Sequence, residues 1–161
     1  MFKGDYIMID IKIEGLNELK KKLDELAPKM EKKIVGQALR QGTNVIRDSA
    51  RSKVNSISGN LKKSIKTVGV KGKKPLVSEM NVRVRGKDAF YAKFVEFGTK
   101  PHVILPKKGM ALLVKGKEYR IVHHPGAVAK PFMRPAFDEN YQKAIDRFKE
   151  VVSQKLSEVV K

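Results

Sequence analysis

The side chain in this sequence that is most able to take part in chemistry is the carboxylate of Glu96. It lies in the stretch FVEFGTKPH, one turn before an apparent helix end that Gly98 and Thr99 mark. The helix macrodipole disfavours negative charge at that end, typically by a few tenths of a kcal/mol. Two interpretations explain an acid in such a place: it takes part in catalysis, or it is a tether that fixes the turn.

Catalysis would require a partner for this carboxylate. A histidine could act with Glu96 as the acid and base of a nuclease, because a basic cleft can hold phosphate. The histidines are not in metal-ligand spacing with carboxylates, and the sequence has no cysteine, no phosphate-binding loop and no Gly-x-Ser-x-Gly motif. We therefore expect no enzymatic activity, no cofactor and no metal, and keep the nuclease as an alternative. The histidines are His102, His123 and His124.

Periodic apolar residues predict helices near both ends of the chain. Alternation over residues 7–13 indicates a strand, and leucines at helical spacing over 16–26 indicate a helix that Pro28 interrupts. Residues 29–53 are a predicted long helix with an apolar arc of about 200°, wide enough to pack against two surfaces. A closing amphipathic helix begins in PFMRP, and its predicted apolar face holds Phe137, Tyr141, Ala144, Ile145, Phe148, Val152 and Val159.

Short apolar runs between these helices predict antiparallel strands. SIKTVGV and EMNVRVRG are two strands joined by a basic tip near residues 71–75, and Ser58 is the predicted cap of a short turn near Gly59. HVILP, MALLV and EYRIV predict a strand meander in an insertion near residues 102–122, and HHPGAVAKP is a predicted loop. The fold class is therefore α+β, a single domain over residues 1–161 with an antiparallel sheet against the two long helices.

One short helix is predicted within the strand region, in DAFYAKFVEFG. Asp88 is its expected N-cap and Gly98 its stop. Phe94 and Phe97 are expected to be packing residues.

The charge of the chain points to a polyanionic or acidic partner. Lys and Arg number 35 against 17 Asp and Glu, a net charge of +18. The basic strand has no interleaved aromatic residues, so any nucleic-acid contact would be to the backbone and independent of sequence. The candidate contact residues, for DNA or for an acidic protein surface, are Lys33, Arg40, Arg47 and Arg51 on the long helix, Lys71, Lys73 and Lys74 in the tip, and Arg83 and Arg85 on the strand.

Two further observations concern location. No apolar run approaches the roughly 20 residues of a membrane span. The opening segment MFKGDYIMIDIKIEG does not have the pattern of a signal peptide. We therefore expect synthesis and use in a cytoplasm, or in an assembly built there, without membrane association.

The order of several motifs resembles a known family. GLNELKKKLDEL is followed by a long helix, SGNLKKSI, YAKFVEFGT, HPG, AKPFMRPAF and a closing helix. Over about residues 9–160 this order is similar to the tail-component family of tailed bacteriophages that is typified by the tenth gene product of a lambdoid long-tailed phage. FVEFGTKPH and AKPFMRPAF are its two best motifs.

The resemblance implies a structural protein of the virion that is assembled in the bacterial host cytoplasm. It implies a minor tail or tail-completion component, a homo-oligomeric ring at the head-proximal end of the tail, and contacts with neighbouring tail or connector proteins. On this interpretation Glu96 is a tether: it accepts bonds from the next loop or pairs with Arg134, and with Gly98 and Thr99 it locks the turn against the last helix. A sequence-neutral nucleic-acid-binding protein is the alternative.

Overall fold

The computed structural model describes most of the chain between Pro28 and Val159. The described residues are 24, 28–54, 59–70, 79–86, 90–106 and 111–159. The predicted strand at 7–13, nearly all of the helix at 16–26, and the basic tip at 71–75 lie outside them.

The chain forms two compact units. Unit 1 comprises Met1–Phe90 and Phe132–Lys161, and unit 2 comprises Tyr91–Pro131. We describe each by itself, and a single domain over 1–161 stays a prediction.

Two long helices form the core of unit 1, as the periodicity predicted. Helix α1 spans Pro28–Lys53, with its proline at the first position, where the missing N–H costs nothing. The later helix, Met133–Val159, packs along it. Their shared core is the buried cluster Ile34, Ala38, Phe148, Val151, Val152 and Leu156.

Gly42 marks the closest approach of these two helices. A Cβ atom on Gly42 would lie 2.7 Å from the backbone oxygen of Ala144 and 3.4 Å from the Cβ of Phe148. The small residue therefore lets the two backbones meet.

The buried face of the closing helix differs from the predicted one. Ala144, Phe148 and Val152 are buried as expected, but Tyr141 and Val159 are exposed. The stripe runs instead through Met133, Ala136, Val151 and Leu156. The prediction used angular position on the helix alone, whereas burial also depends on whether another element covers that position along the helix.

A two-stranded antiparallel ribbon packs against α1 within unit 1. Helix α2 (Asn60–Ser64) follows Gly59 and leads directly into β1 (Ile65–Val70), which pairs with β2 (Glu79–Val84). The α1 helix contacts both strands as well as the closing helix. Its wide apolar arc thus meets two surfaces, as predicted, and both belong to the same unit. The predicted cap Ser58 lies outside the described residues.

Unit 2 contains a short helix and four short strands. Helix α3 spans Ala92–Phe97 and ends at Gly98, whose φ of 70° suits glycine. The predicted end of this helix at Gly98 is therefore confirmed. The helix begins after Tyr91, which makes no side-chain capping bond, and the predicted N-cap Asp88 lies outside the described residues.

The strands of unit 2 do not form the predicted meander. Strand β3 (His102–Ile104) pairs with β6 (Val122–His124), and β4 (Leu112–Val114) pairs with β5 (Lys117–Tyr119). The segment EYRIV is therefore split between two strands, and the two histidines of the predicted loop belong to β6. Lys115 and Gly116 both have positive φ, as a two-residue type I′ hairpin requires.

The α+β class is confirmed, with helix α4 as the closing helix Met133–Val159. The strands of the described residues form three separate two-stranded antiparallel sheets. Among the residues described, no helix has the length and apolar character needed to cross a bilayer.

Candidate interaction surfaces

The candidate contact residues of α1 fall into two groups: some make hydrogen bonds within the protein, and the others are exposed to a partner. Arg47 donates from Nε and Nη2 to the two carboxylate oxygens of Asp48, each at 2.8 Å, and from Nη1 to Oδ1 of Asn44 at 2.7 Å. The same Asn44 oxygen accepts the hydroxyl of Thr67 at 2.9 Å. Arg47 therefore belongs to a network that joins α1 to β1.

Arg51 also has a structural role. Its Nε and Nη2 donate to the backbone oxygen of Ile65 at 3.0 and 2.7 Å, at the start of β1. Lys33 and Arg40, by contrast, are exposed and have no hydrogen-bond or ion-pair partner among the described residues. Of the four predicted contact residues on α1, these two are open to a partner.

A second group of cations gathers where α2 meets the β1–β2 ribbon. Lys66 lies directly opposite Arg83 in the strand register, and the backbone N–H of Arg85 donates to the oxygen of Ser64 at 2.8 Å. We call this group the junction cluster; it consists of Lys62, Lys63, Lys66, Arg83 and Arg85. Two of its members, Arg83 and Arg85, were predicted from the sequence as contact residues. The other predicted contact residues of this region, Lys71, Lys73 and Lys74, lie outside the described residues.

The strand face that was predicted to be basic is only partly exposed. Arg83 is half-buried, and Asn81 on the same face is buried. With the Asn81 amide oriented to satisfy its neighbours, its oxygen accepts from Nη2 of Arg83 at 2.8 Å. Arg85 lies beyond the strand end and is exposed.

The turn after α3 is held by backbone hydrogen bonds. Thr99 and Ala127 exchange two N–H···O bonds of 2.9 and 3.1 Å, and the N–H of Lys130 donates to the oxygen of Val95 at 2.7 Å. A Cβ atom on Gly98 would lie 2.5 Å from the oxygen of Ala127. Thr99 thus holds the turn through its backbone and Gly98 leaves room for Ala127, while their role in a tether stays a prediction.

Glu96 lies next to this turn with only 3% of its surface exposed. A carboxylate so deeply buried requires hydrogen bonds or an ion pair. Arg134 forms an ion pair with Asp138 at 3.0 Å, and its side chain is largely exposed. The pairing of Glu96 with Arg134 stays a prediction.

The histidines of unit 2 make structural contacts. The rings of His102 and His124 stack across β3 and β6 with centroids 5.0 Å apart. Nδ1 of His102 lies 2.9 Å from the oxygen of Lys100 and must donate, because a carbonyl only accepts. Nδ1 of His124 accepts the N–H of Gly126 at 3.0 Å.

A pocket of about 400 Å³ lies beside this pair. Among the residues that the structure describes, its lining includes no acid for the nuclease alternative; the lining residues are Pro101, His102, Val103, His123, His124 and Pro125.

Many large hydrophobic side chains of unit 2 are exposed. Only Ala92 and Glu96 are buried among its described residues. Phe97, Leu113 and Val128 are 71%, 73% and 86% exposed, and the predicted packing role of Phe94 and Phe97 is wrong. We call the exposed large hydrophobic residues of this unit the unit 2 surface; they are Phe94, Phe97, Val103, Leu105, Leu113, Val114, Tyr119, Ile121 and Val128.

A family comparison accounts for the order of these elements. The family model described as "Bacteriophage HK97-gp10, putative tail-component" matches residues 17–98, which is just over half of the chain. The chain belongs to this family. The match confirms the resemblance seen in the motifs and identifies a bacteriophage tail component, a class of protein found in the virion. No curated protein and no solved structure matched the chain.

The HK97-gp10-like match includes α1, α2, the β1–β2 ribbon and α3 up to Gly98. The junction cluster and Glu96 therefore lie within the part shared with the family. Most of the unit 2 surface follows Gly98 and lies beyond the matched residues.

The tether predicts a specific loss of stability. Glu96→Ala should lower the free energy of unfolding by about 1–3 kcal/mol, because it leaves buried hydrogen-bonding groups unpaired. Glu118→Ala, at an exposed acid of the same unit, should change it by less than about 0.5 kcal/mol. Urea unfolding of both variants measures the difference in the free energy of unfolding. Equal losses in the two variants would show that Glu96 is not a tether.

A double-mutant cycle tests the predicted partner of Glu96. Arg134→Ala should lower the free energy of unfolding by more than the contribution of its exposed ion pair with Asp138, which is about 0.3–0.5 kcal/mol. Combined with Glu96→Ala, it should cost less than the sum of the single changes if the two residues touch. Additive losses would show that they do not pair.

Proposed function

We propose that this tail component is a head-proximal tail-completion or minor tail protein that assembles into a homo-oligomeric ring through the unit 2 surface. The observation that carries the proposal is the exposure of this surface. Nine large hydrophobic side chains among the described residues of the unit are exposed, and a concentration of exposed apolar side chains marks an interaction site, because burial removes them from water.

The construction of unit 2 supports a role in assembly. Its sheets have two strands each, and two-stranded sheets are marginally stable alone in water. Nearly all described side chains of the unit are at least partly exposed. A neighbouring subunit that covers these apolar residues would supply the packing that the strands do not have.

The proposed occupant of the surface is a second copy of the chain. A head-to-tail contact whose rotation closes produces a ring, in which each copy uses two different surfaces. The wide apolar arc of α1 is not evidence for a ring, since the ribbon and α4 of the same chain pack against it. Neighbouring tail or connector proteins would bind the faces of the ring, after synthesis in the host cytoplasm.

Analysis of purified particles tests this function. Mass spectrometry of virions should find the chain in tailed particles in a small fixed copy number, and cross-linking should join unit 2 of one copy to another copy. Absence of the chain from tailed particles would overturn the proposal. No enzymatic step is part of it.

Sequence-neutral nucleic-acid binding is the second candidate, and the net charge of +18 favours it. Such a protein would bind any duplex as a monomer and lose affinity steeply as salt rises. A ring held by apolar contacts between like-charged subunits responds to salt in the opposite direction. Salt dependence therefore distinguishes self-association from nucleic-acid binding when each is measured.

A further inference from the structure

The junction cluster places five like charges close together. Lys66 and Arg83 are direct cross-strand neighbours, and like charges in this position destabilise a sheet. Ser64, bonded to Arg85, connects this pair to the end of α2, where Lys62 and Lys63 are exposed. The fold thus maintains an unfavourable concentration of positive charge at one place.

Several other cations of unit 1 are balanced by acids. Lys53 pairs with Glu139 at 2.6 Å, and Arg147 and Lys155 pair with Glu150 and Glu158 at 2.7 and 2.6 Å. Within the described residues, four members of the junction cluster have no hydrogen-bond or ion-pair partner for their side chains: Lys62, Lys63, Lys66 and Arg85. Their charge is available to an anion from outside.

We infer that the junction cluster is a contact site for the phosphate backbone of duplex DNA. Protein interfaces have an apolar core, but none of the exposed large hydrophobic residues lies on α2, β1 or β2 in their described ranges. The same elements contain no aromatic residue for base stacking. Lysines without apolar or aromatic neighbours suit phosphates, which a duplex presents at one charge per about 1.7 Å of its axis.

This site is separate from the unit 2 surface and does not depend on ring formation. It gives the tail component two kinds of contact: apolar contact with protein in unit 2 and ionic contact with DNA in unit 1. An acidic protein surface is the competing partner for the cluster.

Neutralising the four open cations tests the site. The variant carries Lys62→Gln, Lys63→Gln, Lys66→Gln and Arg85→Gln; Arg83 is retained because it also bonds to buried Asn81. The matched control removes the same charge from exposed lysines outside the cluster, with Lys32→Gln, Lys130→Gln, Lys143→Gln and Lys149→Gln. Circular dichroism should show both variants folded, since all eight changed side chains are exposed. The control should melt at the wild-type temperature, and the cluster variant at that temperature or above, because Lys66→Gln removes one charge of the cross-strand pair.

Fluorescence anisotropy with a labelled 20-base-pair duplex of arbitrary sequence measures binding between about 0.05 and 0.2 M salt. Monomeric wild-type protein should bind with equal affinity to a duplex of scrambled sequence. The cluster variant should lose at least about a hundredfold in affinity at 0.1 M salt, and its slope of log K against log salt should be smaller by up to about 3.6, or about 0.9 per phosphate contact. The control should change the affinity less than about tenfold.

Three results would overturn the site. They are failure of the wild-type protein to bind duplex at 0.05 M salt, an equal loss of affinity in the control and the cluster variant, and loss by the cluster variant of binding to polyglutamate but not to DNA. The last result would assign the cluster to an acidic protein. None of these results affects the sedimentation behaviour expected for ring assembly, so the two proposals fail separately.

Discussion

Replacing Gly42 with alanine is expected to lower the free energy of unfolding by about 1–3 kcal/mol, the usual cost of overpacking. The added Cβ would lie 2.7 Å from the backbone oxygen of Ala144, a distance that the flexibility of a side chain cannot relieve. Helices α1 and α4 must therefore separate, which weakens the core around Phe148. Urea unfolding followed by circular dichroism measures the loss.

Gly36 provides the matched control in the same helix. Its Cβ would meet nothing within 4 Å. Gly36→Ala should therefore stabilise the protein by about 0.5–1 kcal/mol, the normal gain for alanine over glycine in a helix. The two substitutions have opposite expected signs, and a gain at Gly42 equal to that at Gly36 would contradict the close approach of the helices.

Polar substitution on the unit 2 surface should weaken self-association strongly. Leu113→Gln with Val128→Gln removes two of its most exposed apolar side chains. Full burial of one such side chain stabilises a contact by about 1.5–3 kcal/mol. A loss of about 1.4 kcal/mol lowers an association constant tenfold. The association constant of the double variant, measured by sedimentation equilibrium in about 1 M salt, should therefore fall at least tenfold.

The matched control is Met30→Gln, at an exposed apolar side chain of unit 1. It should leave the association constant within about twofold of wild type, because the proposed contact uses unit 2. Equal losses in the two variants would indicate nonspecific association, and no loss in the double variant would remove the unit 2 surface from the interface.

Local sequence patterns were sufficient to predict the main elements of unit 1. The periodicity of α1 and α4 and the alternation in β1 and β2 reflect the side chains that each element buries. The stop at Gly98 was also predictable, because a positive φ is needed there and glycine tolerates it. The α+β class follows from these elements.

Strand pairing in unit 2 could not be predicted in the same way. The strands have three residues each, too few for alternation to specify register. Pairing of β3 with β6 across the β4–β5 hairpin depends on contacts distant in sequence. A meander was the simplest arrangement of the apolar runs, and it was wrong.

The candidate surfaces show a similar limit. Arg47 and Arg51 share a stripe with Lys33 and Arg40, but their bonds to Asn44 and to the oxygen of Ile65 depend on the packing of α1 against β1. Phe97 resembles a core residue in sequence and is exposed in the structure. One signal could have indicated the junction cluster: Lys62, Lys63 and Lys66 occur together without an acid nearby.

Sedimentation velocity of the purified protein in rising salt tests ring assembly most directly. At 0.1 M salt the charge of +18 should keep the chain monomeric or weakly associated. The Debye length falls from about 10 Å at 0.1 M to about 3 Å at 1 M, so repulsion fades while apolar contacts persist. We expect the sedimentation coefficient to rise with salt; a monomer that is unchanged from 0.1 to 1 M salt would show that the chain does not assemble through apolar contacts.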